Sequence, residues 1–107
     1  MINQILSENN INYLTQYTVR SSNNGYYRFD FVLLDDDSNI IRFIEFDGEQ
    51  HYADKCSQYY GDFEEIHKRD LEKNKYCKNN NIPLVRIPYW ERDNLTLDMI
   101  IGNKYLV

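Results

Sequence analysis

Three carboxylates stand where a core strand has no use for them. Asp30 interrupts Phe29-Asp30-Phe31-Val32, and Glu45 and Asp47 interrupt Ile44-Glu45-Phe46-Asp47. An ionised carboxylate among Phe, Val and Ile is costly unless a cation or a hydrogen-bond donor compensates it. Side chains alternate along a strand, so Glu45 and Asp47 share a face and Phe46 points away. By the same alternation Asp30 shares its face with Arg28 and Val32. A hairpin closed through residues 35–39 brings Asp30 near Glu45. Hard divalent cations take carboxylate and water oxygens, and one or two carboxylates plus a substrate phosphate satisfy Mg²⁺. Asp30, Glu45 and Asp47 are therefore the candidate ligands of Mg²⁺ or Mn²⁺. An ion there can activate a water and neutralise charge on a phosphodiester. The plainer alternative is a set of edge-strand carboxylates facing solvent.

His51 follows the strand after Gly48-Glu49-Gln50. Its reference pKa lies near neutrality, which suits a general base or proton relay beside a metal-bound water. Asp70 falls in the apolar stripe of a helix, where Leu or Ile is expected. It fits a supporting acid at the same site or a structural ion pair with an arginine such as Arg86. Gln50, Lys68 and Lys73 are candidate nucleic-acid contacts, although a solvated helix face is the commoner role for each lysine. Tyr89-Trp90 fits core packing better than stacking on bases.

These residues need elements to hold them. Ile2, Ile5 and Leu6 predict a short helix over residues 2–9. Alternation predicts strands at 12–19, 26–34 and 40–47, joined by Ser21-Ser22-Asn23-Asn24-Gly25 and Asp35-Asp36-Asp37-Ser38-Asn39. Residues 48–61 read as loop. Over 63–80, Phe63, Ile66, Asp70, Asn74 and Cys77 share one helical face, and Asn79-Asn80-Asn81 ends it. Ile82 to Ile87 predicts a strand, and residues 94–101 a last helix with Asn94 as N-cap. The order is αβββαβα. It implies an α/β (α+β) domain with one mixed sheet flanked by helices.

With 107 residues the chain makes a single domain, 1–107, with one core. Its net charge of −5 counts against a tight autonomous nucleic-acid binder, an effect that cations bound at an acidic cluster would offset. Cys56 and Cys77 form no zinc motif and suit a reducing interior. No apolar run is long enough to span a membrane and no leader is visible. A soluble, cytoplasmic protein is expected.

Asp30 … Glu45-Phe46-Asp47 on adjacent strands of an αβββαβ core resembles the PD-(D/E)XK nuclease superfamily, with its restriction-endonuclease-like fold. Asp47 stands where that superfamily usually has lysine. Arg28-Phe29-Asp30-Phe31, Asp47-Gly48 and His51, with Lys68-Arg69-Asp70 and Leu84-Val85-Arg86-Ile87, are similar to a narrower branch. It holds the very-short-patch repair endonucleases and phage homing endonucleases with an EDxHD-type site. The resemblance covers residues 26–91. It implies that Asp30 holds the metal with Glu45 and the Phe46 carbonyl, that His51 is the base and that Asp70 is a supporting acid. The acid that the branch carries on its first helix has one counterpart here, Glu8. Relatives of this kind often add a DNA-reading module or dimerise.

Two classes of function follow. One is a metal-dependent DNA endonuclease of phage or mobile-element type. The other is a nuclease fold with a degenerate site that serves as a protein- or nucleic-acid-binding or inhibitory module. RNA or branched DNA as substrate would change only the first reading's target.

Overall fold

The computed structural model describes residues 2–20, 25–47 and 60–107, with side chains described outside 60–67. Helix α1 (Ile2–Glu8) leads into strands β1 (Asn12–Arg20), β2 (Tyr26–Leu34) and β3 (Ile40–Asp47). Helix α2 (Tyr60–Asn79), strand β4 (Leu84–Pro88), a 3-10 turn (Tyr89–Asn94) and helix α3 (Leu97–Ile101) follow. The four strands form one sheet in the order β1-β2-β3-β4. The first three are antiparallel neighbours and β4 runs parallel to β3. A parallel pair needs a crossover, and α2 supplies it. The expected mixed sheet flanked by helices is present.

Local chemistry explains the boundaries. Asn10 ends α1 at φ 56°, and Ile11 N–H donates to the Leu6 carbonyl at 3.0 Å. Asn81 ends α2 the same way, with Ile82 N–H on the Cys77 carbonyl at 2.9 Å. Asparagine tolerates this left-handed conformation, which satisfies the last helical carbonyls. In the β2–β3 turn, Asp35 Oδ1 accepts from the N–H groups of Asp37 and Asn39, each at 2.9 Å. Thr96 caps α3, where the sequence pointed to Asn94, because residues 89–94 form the 3-10 turn instead.

Each face of the sheet has its own core. Ile2, Leu6, Leu33, Ile44, Val85, Ile87 and Ile100 pack on the side of α1 and α3. Phe29, Val32, Phe43, Cys77 and Leu84 pack on the side of α2. Phe29 stacks on Phe43 with centroids 4.1 Å apart. Arg42 donates to the carbonyls of Ile100 and Gly102 at 3.0 and 2.9 Å, which ties the end of α3 to β3. Among the described residues no helix is long and apolar enough to cross a membrane.

Candidate functional site

Strand β3 obeys simple alternation. Phe43, Glu45 and Asp47 face α2, while Ile44 and Phe46 face α1 and α3. Glu45 and Asp47 are only 6% and 5% exposed, so neither is a solvent-facing edge carboxylate.

Strand β2 does not obey it. Phe31 and Leu33 pack toward α1, yet Tyr27 and Phe29 pack toward α2. Strand β1 makes the same change, with Tyr13 on one side and Tyr17 and Val19 on the other. The changeover falls at Gln16, whose φ is 51°, and at Asp30 directly across from it. The two strands therefore roll over together at this point. Strand β3 does not follow, and its ladder with β2 stops at Phe31–Ile44. Two-stranded ribbons twist more than the sheets they leave, which fits the departure.

Asp30 sits at the pivot and uses the gap. Its Oδ2 accepts from the Phe46 N–H at 2.8 Å, a main-chain donor beyond the end of the ladder. The expected sharing of one face by Arg28, Asp30 and Val32 is thus corrected. Val32 is buried against the α2 cluster, Arg28 is exposed, and Asp30 lies between faces. The expected approach of Asp30 to Glu45 does occur. The two carboxylates are close enough for Asp30 to raise the proton affinity of Glu45. Burial is the larger cause, and together they lift the Glu45 pKa from 4.5 to about 7 against the opposing pull of Lys73.

Lys73 carries the compensating charge. Its Nζ donates to Glu45 Oε1 at 2.6 Å and to the Arg28 carbonyl at 2.7 Å, and it lies 5.3 Å from the Phe29 ring centre. Its side chain is 13% exposed, which corrects the reading of a solvated lysine. The signal was present in the sequence. Lys73 lies three residues after Asp70 and four before Cys77, so it borders the stripe that faces the sheet.

Arg86, beside Glu45 in the parallel register, organises the second half of the site. Its Nη1 meets Asp47 Oδ1 at 3.0 Å and Asp70 Oδ1 at 3.3 Å. Its Nε donates to Asn74 Oδ1 at 2.9 Å and its Nη2 to the Asp70 carbonyl at 3.2 Å. The carboxylates therefore divide into two groups, Asp30 and Glu45 with Lys73, and Asp47 and Asp70 with Arg86. Among the described residues no three His, Cys, Asp or Glu side chains gather to hold one ion. Of the expected trio of ligands, Asp30 and Glu45 come together and Asp47 lies with Arg86. Asp70 makes the ion pair that was its structural alternative.

The remaining candidates are dispersed. Lys68 is exposed on α2. Glu8 is exposed and accepts from Gln4 at 3.2 Å, on a helix that packs on the sheet face away from Glu45. Trp90 is 56% exposed, which corrects the assignment of Tyr89-Trp90 to the core. The two rings meet edge to face at 5.4 Å. Gln50 and His51 lie outside the described residues, as do Gly48 and Cys56.

Chemically, one oxygen of Asp30 is held by a peptide N–H and one of Glu45 by an ammonium. The two carboxylates also hydrogen-bond to each other, so the pair can hold a shared proton or, when both are ionised, a cation. The donor set is all oxygen and fits a hard divalent ion. No curated protein and no solved structure matches the chain. A family model described as protein of unknown function (DUF2726) matches residues 2–98, and the chain belongs to that family.

Proposed function

We propose that this protein is a metal-dependent DNA endonuclease of the phage or mobile-element homing or repair type. The supporting observation is the pair of the half-buried Asp30 and the buried Glu45, coupled to each other and positioned by a main-chain N–H and a lysine ammonium. Asp30 and Glu45 would hold Mg²⁺ or Mn²⁺, which when bound supplies Lewis-acid activation of water and neutralises phosphodiester charge. Asp30 is fixed by the Phe46 N–H, so its carboxylate needs little reorganisation. Lys73 supplies from α2 the positive charge that the superfamily usually places on the strand at position 47. Arg86 holds Asp47 and Asp70 and fixes the end of β3 beneath α2. His51 follows Asp47 by four residues and is the proposed base. Cleavage of both strands would call for a homodimer or two successive nicks.

The test is nicking of a supercoiled plasmid with Mg²⁺ or Mn²⁺, against EDTA and Asp30→Ala controls. Metal-dependent nicking that the variant loses is the expected result. Equal nicking by the variant sinks the assignment.

One observation favours the second reading, a degenerate nuclease fold used for binding. Lys73 and Arg86 already neutralise Glu45 and Asp47 without any metal. Calorimetric titration with Mn²⁺ separates the two. Binding lost in Asp30→Ala supports the enzyme, and absence of binding to the wild type supports the module.

A further inference from the structure

Beyond the Gln16/Asp30 pivot, β1 and β2 continue as a two-stranded ribbon without β3. Tyr17, Val19, Tyr27 and Phe29 turn toward α2 and join its core. Their neighbours Thr18, Arg20, Tyr26 and Arg28 turn the other way. All four are exposed, Tyr26 to 70%. The register sets Thr18 opposite Arg28 and Arg20 opposite Tyr26. Directly opposed side chains lie roughly 5 Å apart and diagonal ones about 7–8 Å. Tyr26 thus stands opposite Arg20 and two residues from Arg28 on the same strand face.

The charge of this surface is unlike that of the whole chain. The net charge is −5, yet residues 12–20 and 26–29 contain two arginines and no Asp or Glu. The surface begins next to Asp30, and Arg28 joins it to the site through its main chain. The Arg28 carbonyl and Glu45 Oε1 accept from the same Lys73 ammonium.

We propose that this ribbon face binds the phosphodiester backbone of DNA beside Asp30, the carboxylate that lies between the two faces of the sheet. Arg20 and Arg28 take phosphates, for which the guanidinium fork is well shaped. Tyr26 lies against a sugar or base between them. A two-stranded ribbon is slender enough to enter the major groove, which a helix-covered sheet is not. The inference rests on the endonuclease reading and names the surface by which that site meets its substrate.

The test is fluorescence anisotropy of a labelled short DNA duplex, titrated with salt in the presence of Ca²⁺ and again in EDTA. The variants are Arg20→Ala/Arg28→Ala, the charge-retaining Arg20→Lys/Arg28→Lys, and Tyr26→Ala. The double alanine variant is expected to bind about tenfold more weakly, and its log–log salt slope to fall by about 2. The double lysine variant keeps the slope, and Tyr26→Ala weakens binding without changing it. Circular dichroism should match the wild type in each, because the replaced side chains are exposed. Unchanged affinity and slope in the double alanine variant, or a wild type with no salt-dependent DNA binding, overturns the proposal. Plasmid nicking by the same proteins separates the two ideas. An inactive wild type whose DNA binding still needs Arg20 and Arg28 sinks the nuclease and keeps the binding face. An active wild type indifferent to both arginines does the reverse.

Discussion

Glu45 offers the most direct measurement of the site's electrostatics. Its pKa rises from 4.5 to about 7, first by burial and then by the neighbouring Asp30. At about 1.4 kcal/mol per pH unit, that rise is worth at most about 3 kcal/mol of preference for the neutral acid. The sign follows from proton binding. Between the two values the folded chain holds a proton at Glu45 that the unfolded chain has released. Stability from this group is therefore full below about pH 4.5 and is lost as pH rises through about 7. Glu45→Gln is neutral throughout and lacks the slope. Urea unfolding of both metal-free proteins from about pH 4.5 to about pH 8 reads the effect as a difference. Wild type minus variant should fall by about 3 kcal/mol over the window. A constant difference refutes the reasoning. A difference that grows with pH means that the Lys73 ammonium, 2.6 Å away, outweighs burial and Asp30 together.

Four further outcomes are expected. Mn²⁺ added near neutral pH should raise the midpoint of unfolding in the wild type and not in Asp30→Ala, since an ion bound only by the folded site stabilises it; equal shifts count against Asp30 as a ligand. Arg86→Leu leaves Asp47 and Asp70 without their shared cation and should cost about 3–5 kcal/mol by denaturant unfolding; a loss below ~1 kcal/mol would show that the cluster is not held by Arg86. A double-mutant cycle of Lys73→Met with Glu45→Gln should give a coupling of about 1–3 kcal/mol, and additivity would mean no interaction between them. Gln16→Gly should be neutral or stabilising by up to about 1 kcal/mol, while Gln16→Val should cost about 1–2 kcal/mol by denaturant unfolding; equal stability of the two variants would refute strain at this position.

The sequence carried most of the architecture, because alternation is a local property. Strands 26–34 and 40–47 are found within the residues expected, and so is the return through the Asp35 turn. The asparagine stop of α2 is equally local. The approach of Asp30 to Glu45 was legible because a hairpin register follows from its turn. What escaped was set by tertiary structure. Alternation alone cannot reveal that β1 and β2 roll over at Gln16, since a glutamine in a strand gives no sign of a left-handed φ. Residue type pointed Lys73 outward, and only its spacing from Asp70 and Cys77 placed it beside the buried stripe. A lysine on a helix normally ends in water, and only the paired demands of Glu45 and the Arg28 carbonyl draw this one in. Tyr89-Trp90 misled because large aromatics are usually packed, whereas the 3-10 turn after Pro88 carries Trp90 outward.

The pivot at Gln16 has a consequence for how this family should vary. The residue opposite Asp30 is exposed, yet its left-handed backbone marks the point where β1 and β2 roll over together. Selection there acts on conformational tolerance and not on side-chain chemistry. Position 16 should drift among Gly, Asn, Asp and Gln, and should exclude the Val, Ile and Thr that a strand otherwise favours. Such a column would look poorly conserved in any scoring by polarity or size, while being as constrained as the aspartate across from it.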